Sequence, residues 1–187
     1  MTSTIIWRQR RRRIIRDKLR AACIVATLYG FGFMMILLKA SVCMGEYSDT
    51  HIDDEHVGYI IDISKQYGVA PELVEAIIEA ESGGDADAVS PHGAIGLMQI
   101  VPKYNEDRME RLGVTDLYDP YSNILVGTDL LMEYAEKYED LPKVLMCYNE
   151  GEYSDAVNRA DDGYVSEYAK KIIRRSDQLQ RLHEADG

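Results

Sequence analysis

From residue 53 to the C-terminus the apolar residues recur at three- and four-residue spacings, the period of helices packed on a core. Val57, Ile60, Ile61 and Tyr67 make a first amphipathic helix that Gly68 ends. Pro71 opens a second helix that runs to Ser82 and stops at Gly83-Gly84. A loop of Gly, Asp, Ala, Ser and Pro follows to His92, then a short helical turn over Gly93–Gln99, then a helix from Pro102 to Gly113. Asp119-Pro120, an N-cap before proline, starts a long helix to about Tyr138. Leu141–Asn149 is a shorter helix broken by Gly151. A last helix begins near Gly163, with Tyr164, Val165, Tyr168, Ala169, Ile172 and Ile173 on one face. No alternating strand pattern appears, and the expected fold class is all-α.

One position breaks the pattern of the second helix. With Leu73 as origin and about 100° per residue, Ile77, Val74 and Ile78 span a stripe from roughly 40° to 140°, and Glu81 falls near 80° within it. Glu72, Glu75 and Glu79 take the opposite face. A carboxylate in the stripe loses water, and the C-terminal end of a helix dipole also opposes its charge. Both effects raise its pKa, the property required of a general acid near neutral pH. The plain alternative is a glutamate that tips into solvent at a helix end.

Charge divides the 187 residues into two parts. Residues 1–39 hold nine Lys/Arg and one acid, a net +8, whereas the remainder holds 12 Lys/Arg and 31 acids, a net −19. An acidic body argues against nucleic acid, which needs a basic face. Residues 1–20 read as a basic cytoplasmic segment, and residues 21–38 carry no charge. Eighteen such residues just cross a hydrocarbon core of about 30 Å, and the flanking charges orient the body outside the cell. The rival is a cleaved signal peptide with cleavage after Gly45, which leaves a secreted body. Residues 39–54 read as a tether and 55–183 as the exported domain. Cys147 is alone in that domain and reads as a small buried residue. No His/Cys/Asp cluster has metal-ligand spacing, so neither metal nor cofactor is expected.

Glu81-Ser82, then Ser90-Pro91-His92-Gly93-Ala94-Ile95-Gly96-Leu97-Met98-Gln99-Ile100-Val101-Pro102, then Tyr148-Asn149-Glu150-Gly151 and Tyr164-Val165, resemble the soluble lytic transglycosylase (SLT) domain, a relative of goose-type lysozyme. Asp119-Pro120 and Asn123-Ile124 fall at the usual place between them. The resemblance implies a lysozyme-like helical fold with a cleft for peptidoglycan glycan strands, and Glu81 as the sole catalytic acid/base. It implies cleavage between N-acetylmuramic acid and N-acetylglucosamine with a 1,6-anhydro end. It further implies that Gly93 and Gly96 admit the sugar close to backbone, that Met98 and Gln99 line the cleft, and that Ser82 orients the sugar or caps the turn. Tyr148 and Asn149 would face Glu81, and Tyr164 would hydrogen-bond to it or to substrate, unless the two tyrosines serve only as core. Asp85 and Asp87 stand where relatives often carry neutral residues. An aspartate that activates water would make the enzyme a hydrolysing muramidase. A wall-binding scaffold with a dead site is the third reading.

Overall fold

The computed structural model describes residues 52–185; the basic segment, the apolar run 21–38 and the tether up to residue 51 lie outside them. Helix α1 is Asp54–Tyr67, α2 Pro71–Glu81, α3 Glu106–Leu112, α4 Pro120–Lys137, α5 Leu141–Glu150, α6 Asp155–Asn158 and α7 Glu167–Ala185, with 3-10 turns at Pro102–Tyr104 and Ala160–Asp162. Among the described residues no helix is long and apolar enough to cross a membrane.

Local chemistry sets the boundaries. Gly68 ends α1 at φ 68°, its N–H reaching Ser64 O. Asp119 caps α4 by accepting from Ser122 N at 2.9 Å, and proline stands in the first turn of α2, α4 and α5. The five longer helices pack in a closed cycle: α1 on α4, α4 on α5, α5 on α7, α7 on α2 and α2 back on α1. Ile60, Ile63, Val74, Ile77, Ile124, Leu131, Leu145 and Ile172 fill its interior. The short α3 is tied to α4 by Arg108, which pairs with Asp129 and with Glu133 at 2.6 Å. Arg111 (2.6 Å) and the Tyr67 hydroxyl (3.0 Å) also reach Asp129. Burial alone would push Asp129 up, but the hydrogen bonds from Arg111, Tyr67 and Arg108 outweigh it and hold the carboxyl below its ordinary range.

Five expectations change. The helix expected from Pro102 to Gly113 is a 3-10 turn at Pro102–Tyr104 and, past Asn105, the separate α3. Gly93–Gln99 is not helical. Gly93, Gly96 and Gln99 take φ of 79°, 75° and 50°, which a right-handed helix forbids, and Ile95 instead pairs with Val89 and Ile100 in isolated antiparallel bridges. The last helix starts at Glu167 rather than near Gly163. Gly163 (φ 84°) closes the second 3-10 turn, and the Ser166 hydroxyl accepts from Ala169 N at 3.2 Å where the helix begins. Ile61 is 41% exposed, because Ile60 and Ile63 already fill that face of α1. Glu75 is wholly buried and does not lie on a solvated face, since α2 is enclosed along Leu73–Ile78 by its neighbours.

Candidate active site

Glu81 is the last residue of α2, where the helix ends against the loop at 82–101 on one side and α7 on the other. Its side chain is half-buried, and the Tyr168 hydroxyl donates to its Oε1 at 2.6 Å. Burial pushes the Glu81 carboxyl up from the usual glutamate value. The Tyr168 bond and the charge of Lys171 pull the other way without cancelling it. Burial likewise raises the Tyr168 hydroxyl, so this group stays protonated and donates. Tyr148 stands in the last turn of α5, and burial, with the nearby Glu81 charge, keeps its phenol neutral as well. Its hydroxyl donates to Met98 O at 2.8 Å.

The loop following Glu81 is built from inside. The Asn123 side chain on α4 donates to Ile95 O and Leu117 O and accepts from Met98 N, each at 2.8 Å, so one amide fixes three backbone groups. Gly96 is pressed against that amide. A Cβ there would overlap Asn123 Nδ2 and come within 2.8 Å of Leu117 O. Ser82 Oγ donates to Leu97 O at 2.8 Å and accepts from Gly84 N at 3.2 Å, which sews the end of α2 to the loop. Gln99 Nε2 donates to Ala88 O and Gly96 O, at 3.2 and 3.1 Å, and so braces its own left-handed backbone.

These contacts revise the roles expected of several residues. Met98 is 0% exposed and does not line an open cleft; its side chain is seated on Gly127 of α4, where an added Cβ would stand 2.5 Å from the sulfur. Gly96 admits Asn123 rather than a sugar. The side-chain N–H groups of Gln99 are spent on the loop. Ser82 is a tie between helix and loop. Tyr164 does not reach Glu81: its ring lies 3.9 Å beneath the Arg159 guanidinium. The tyrosine on Glu81 is Tyr168, four residues further along and inside α7. Its place on the apolar face of the last helix was the available signal, but a tyrosine there reads equally as core. Asn149 is exposed at the end of α5. Asp85 and Asp87 are exposed too, with Asp85 Oδ1 accepting from Asp87 N at 2.9 Å in a local turn. Cys147 is buried and its thiol is raised to about 11, first by burial and then by Glu152, so it is no nucleophile. Among the described residues no group of His, Cys, Asp or Glu is arranged to hold a metal.

What remains is one half-buried carboxylate that holds its proton above the ordinary range, steadied by a phenol. Such a group can give a proton to a leaving oxygen and later take one back.

Comparison with known proteins points the same way. Over 112 residues the chain is 40% identical to a transglycosylase of Enterobacteria phage PRD1, a match covering 59% of this chain and 39% of that protein. It is 29% identical over 134 residues to endo-type membrane-bound lytic murein transglycosylase A of Klebsiella pneumoniae, covering 58% of this chain and 66% of the relative. The chain thus spans less than two thirds of the length of these relatives. The fold matches the lytic transglycosylase Slt of Pseudomonas aeruginosa with a TM-score of 0.58 at 20% identity, over 77% of this chain and 27% of that one. It matches the 70 kDa soluble lytic transglycosylase of Escherichia coli with a TM-score of 0.54 at 22% identity, over 65% of this chain and 24% of that one. The family described as the transglycosylase SLT domain matches residues 58–171, from the first helix to the helix that carries Tyr168, and with more than half of its residues inside that match this chain belongs to that family.

Proposed function

We propose that the chain is a membrane-anchored lytic transglycosylase that cuts peptidoglycan strands between N-acetylmuramic acid and N-acetylglucosamine, with Glu81 as its acid and base. The observation that carries this reading is the half-buried Glu81 held by Tyr168 at 2.6 Å. The protonated carboxyl gives its proton to the glycosidic oxygen as the bond from C1 to that oxygen breaks. The carboxylate so formed takes the proton of the muramic C6 hydroxyl while O6 bonds to C1. A 1,6-anhydro ring results, Glu81 is protonated again, and no water is consumed. One carboxylate suffices because the nucleophile belongs to the substrate, whereas most glycosidases need two. The hydrolytic alternative, with Asp85 or Asp87 activating water, has less in its favour, because both aspartates are exposed and Asp85 accepts from Asp87 N in a local turn.

Residues 46–187 and purified peptidoglycan provide the test, read by product mass. Anhydro-muropeptides, lighter by one water than reducing-end products, are expected. Reducing ends would make the chain a muramidase. Absence of any product with wall binding intact would favour the scaffold.

The anchor is proposed at residues 21–38, which are uncharged between basic and acidic flanks, and relatives carry names describing them as membrane-bound. Protease added to intact cells should then digest the body after the outer barrier is opened. A body that stays protected would contradict export.

Tyr168→Phe has an expected signature. Its hydroxyl favours the charged form of Glu81, so its loss lets Glu81 keep its proton to higher pH. The alkaline limb of the kcat/KM profile should move up, with a rate loss of only several-fold at the optimum, the size of one neutral hydrogen bond of about 1 kcal/mol. An unmoved limb would remove Tyr168 from the site.

A further inference from the structure

Lys171 lies one helical turn beyond Tyr168 on α7, so the two side chains lean toward the same end of α2. Tyr168 touches Glu81 directly, and the positive charge of Lys171 acts on that same carboxyl. The lysine is exposed and carries no ion pair among the described residues. Of the neighbouring cations, Arg174 is also exposed without an ion pair among the described residues, but nothing ties it to Glu81; the others are engaged. Lys170 pairs with Glu167 at 2.7 Å, Arg175 with Glu79 at 2.6 Å, and Arg159 stacks on Tyr164. In a body holding 31 acids against 12 basic residues, a lysine without an acidic partner beside the candidate catalytic carboxyl stands apart. An ammonium in that position has a charge to offer a ligand, and the only acidic groups a glycan strand brings are carboxylates.

We propose that Lys171 is a substrate-binding residue that takes a carboxylate of the peptidoglycan strand at the rim of the site. This rests on the peptidoglycan reading given above. The carboxylate has two sources: the peptide stem of the muramic sugar, or the lactyl arm of that sugar where the stem has been removed. Occupation also bears on the chemistry. Among the described residues, the groups that bear on Glu81 are Tyr168 and Lys171 from α7 and Tyr148 from α5, of which Lys171 is the cation. A substrate carboxylate on Lys171 cancels its charge and leaves Glu81 better able to hold the proton it must donate.

The test compares wild type, Lys171→Met and Lys171→Arg on three substrates: intact peptidoglycan, the same material with its carboxylates converted to amides, and peptide-free glycan with free lactyl groups. Wild type should lose about tenfold in kcat/KM on the amidated material, the scale of a hydrogen bond to a charged group. Lys171→Met should work on intact and amidated strands at the same low rate, and Lys171→Arg should keep the preference. A wild-type advantage over Lys171→Met on intact strands assigns the stem carboxylate, and one on peptide-free strands assigns the lactyl group. The alkaline limb of kcat/KM should also rise in Lys171→Met, a shift that a purely structural lysine would not produce. If Lys171→Met keeps the wild-type preference for intact over amidated strands, the assignment is overturned. A wild type that cleaves none of the three overturns the enzymatic reading itself, and the lysine's role falls with it.

Discussion

Glu81→Gln should lower turnover on peptidoglycan by roughly 10²–10⁴-fold while leaving the protein at least as stable as wild type. The rate loss is the usual contribution of a positioned general acid. Glutamine keeps the shape and still accepts the Tyr168 hydroxyl, but it can neither give nor take the proton. The stability half follows from linkage. The folded protein binds the Glu81 proton more tightly than the unfolded chain does, so the contribution of this group is fully present below the ordinary glutamate value of 4.5 and lost as pH rises past it. At neutral pH wild type carries that penalty and the glutamine variant does not. Thermal melts at pH 4 and pH 7.5, beside initial rates, check both halves. The Tm difference between variant and wild type should move in the variant's favour from the lower to the higher pH. Retention of more than a tenth of the wild-type rate would exclude Glu81 as the acid.

The second large effect concerns the loop rather than the carboxyl. Gly96→Ala places a methyl group on Asn123 Nδ2 and near Leu117 O, at a backbone φ of 75°. The left-handed conformation alone costs about 1 kcal/mol for a residue with a Cβ. Displacing Asn123 costs more, because its amide satisfies three backbone groups, two of them in buried bonds worth about 1–3 kcal/mol each when left without a partner. A total of about 3–5 kcal/mol is expected, a large share of the stability of an ordinary domain. It should appear as a fall in Tm on the order of 10 °C. Asn123→Ala should cost a similar amount. The double variant should be far less unstable than the two losses added, since the methyl group then has room. Full additivity would show that the two residues do not meet as described. Activity should fall in both variants beyond what unfolding explains, because Met98 O, which accepts from Tyr148, belongs to the same strip of chain.

Most of the helices were legible along the chain, and so was the unusual placing of Glu81. Gly68, Gly113 and Gly151 stop helices where the sequence reading puts stops, and Asp119-Pro120 starts one, because those effects are local. Glu81 stood out through its angle on the helix, although the same geometry misjudged Glu75. A wheel diagram assumes one buried face, and α2 is buried on nearly every side between Leu73 and Ile78. The Gly93–Gln99 strip was recognisable as a motif but not as a shape. The backbone between its left-handed residues, at Ile95 and Met98, is held by Asn123, 28 and 25 positions away, and no local rule anticipates those bonds.

The tyrosine on Glu81 shows where reading along the chain ends. Tyr148, Tyr164 and Tyr168 all lie on apolar faces, and propensity does not rank them. By itself the sequence determined an all-helical domain, the helix boundaries that proline, glycine and Asp119 mark, the charge division, and one glutamate whose position opposes its charge. These depend on residue types within a turn or two of one another. Only the tertiary structure decided that Tyr168 rather than Tyr164 meets that glutamate, that Met98 and Gly96 serve the core, and that Lys171 stands beside the site. Met98 and Gly96 depend on how α4 lies beneath the loop, and the tyrosine and the lysine on how α7 lies against the end of α2, 87 residues apart in the chain at the Tyr168–Glu81 bond. The packing that sets this distance is the joint product of all five longer helices.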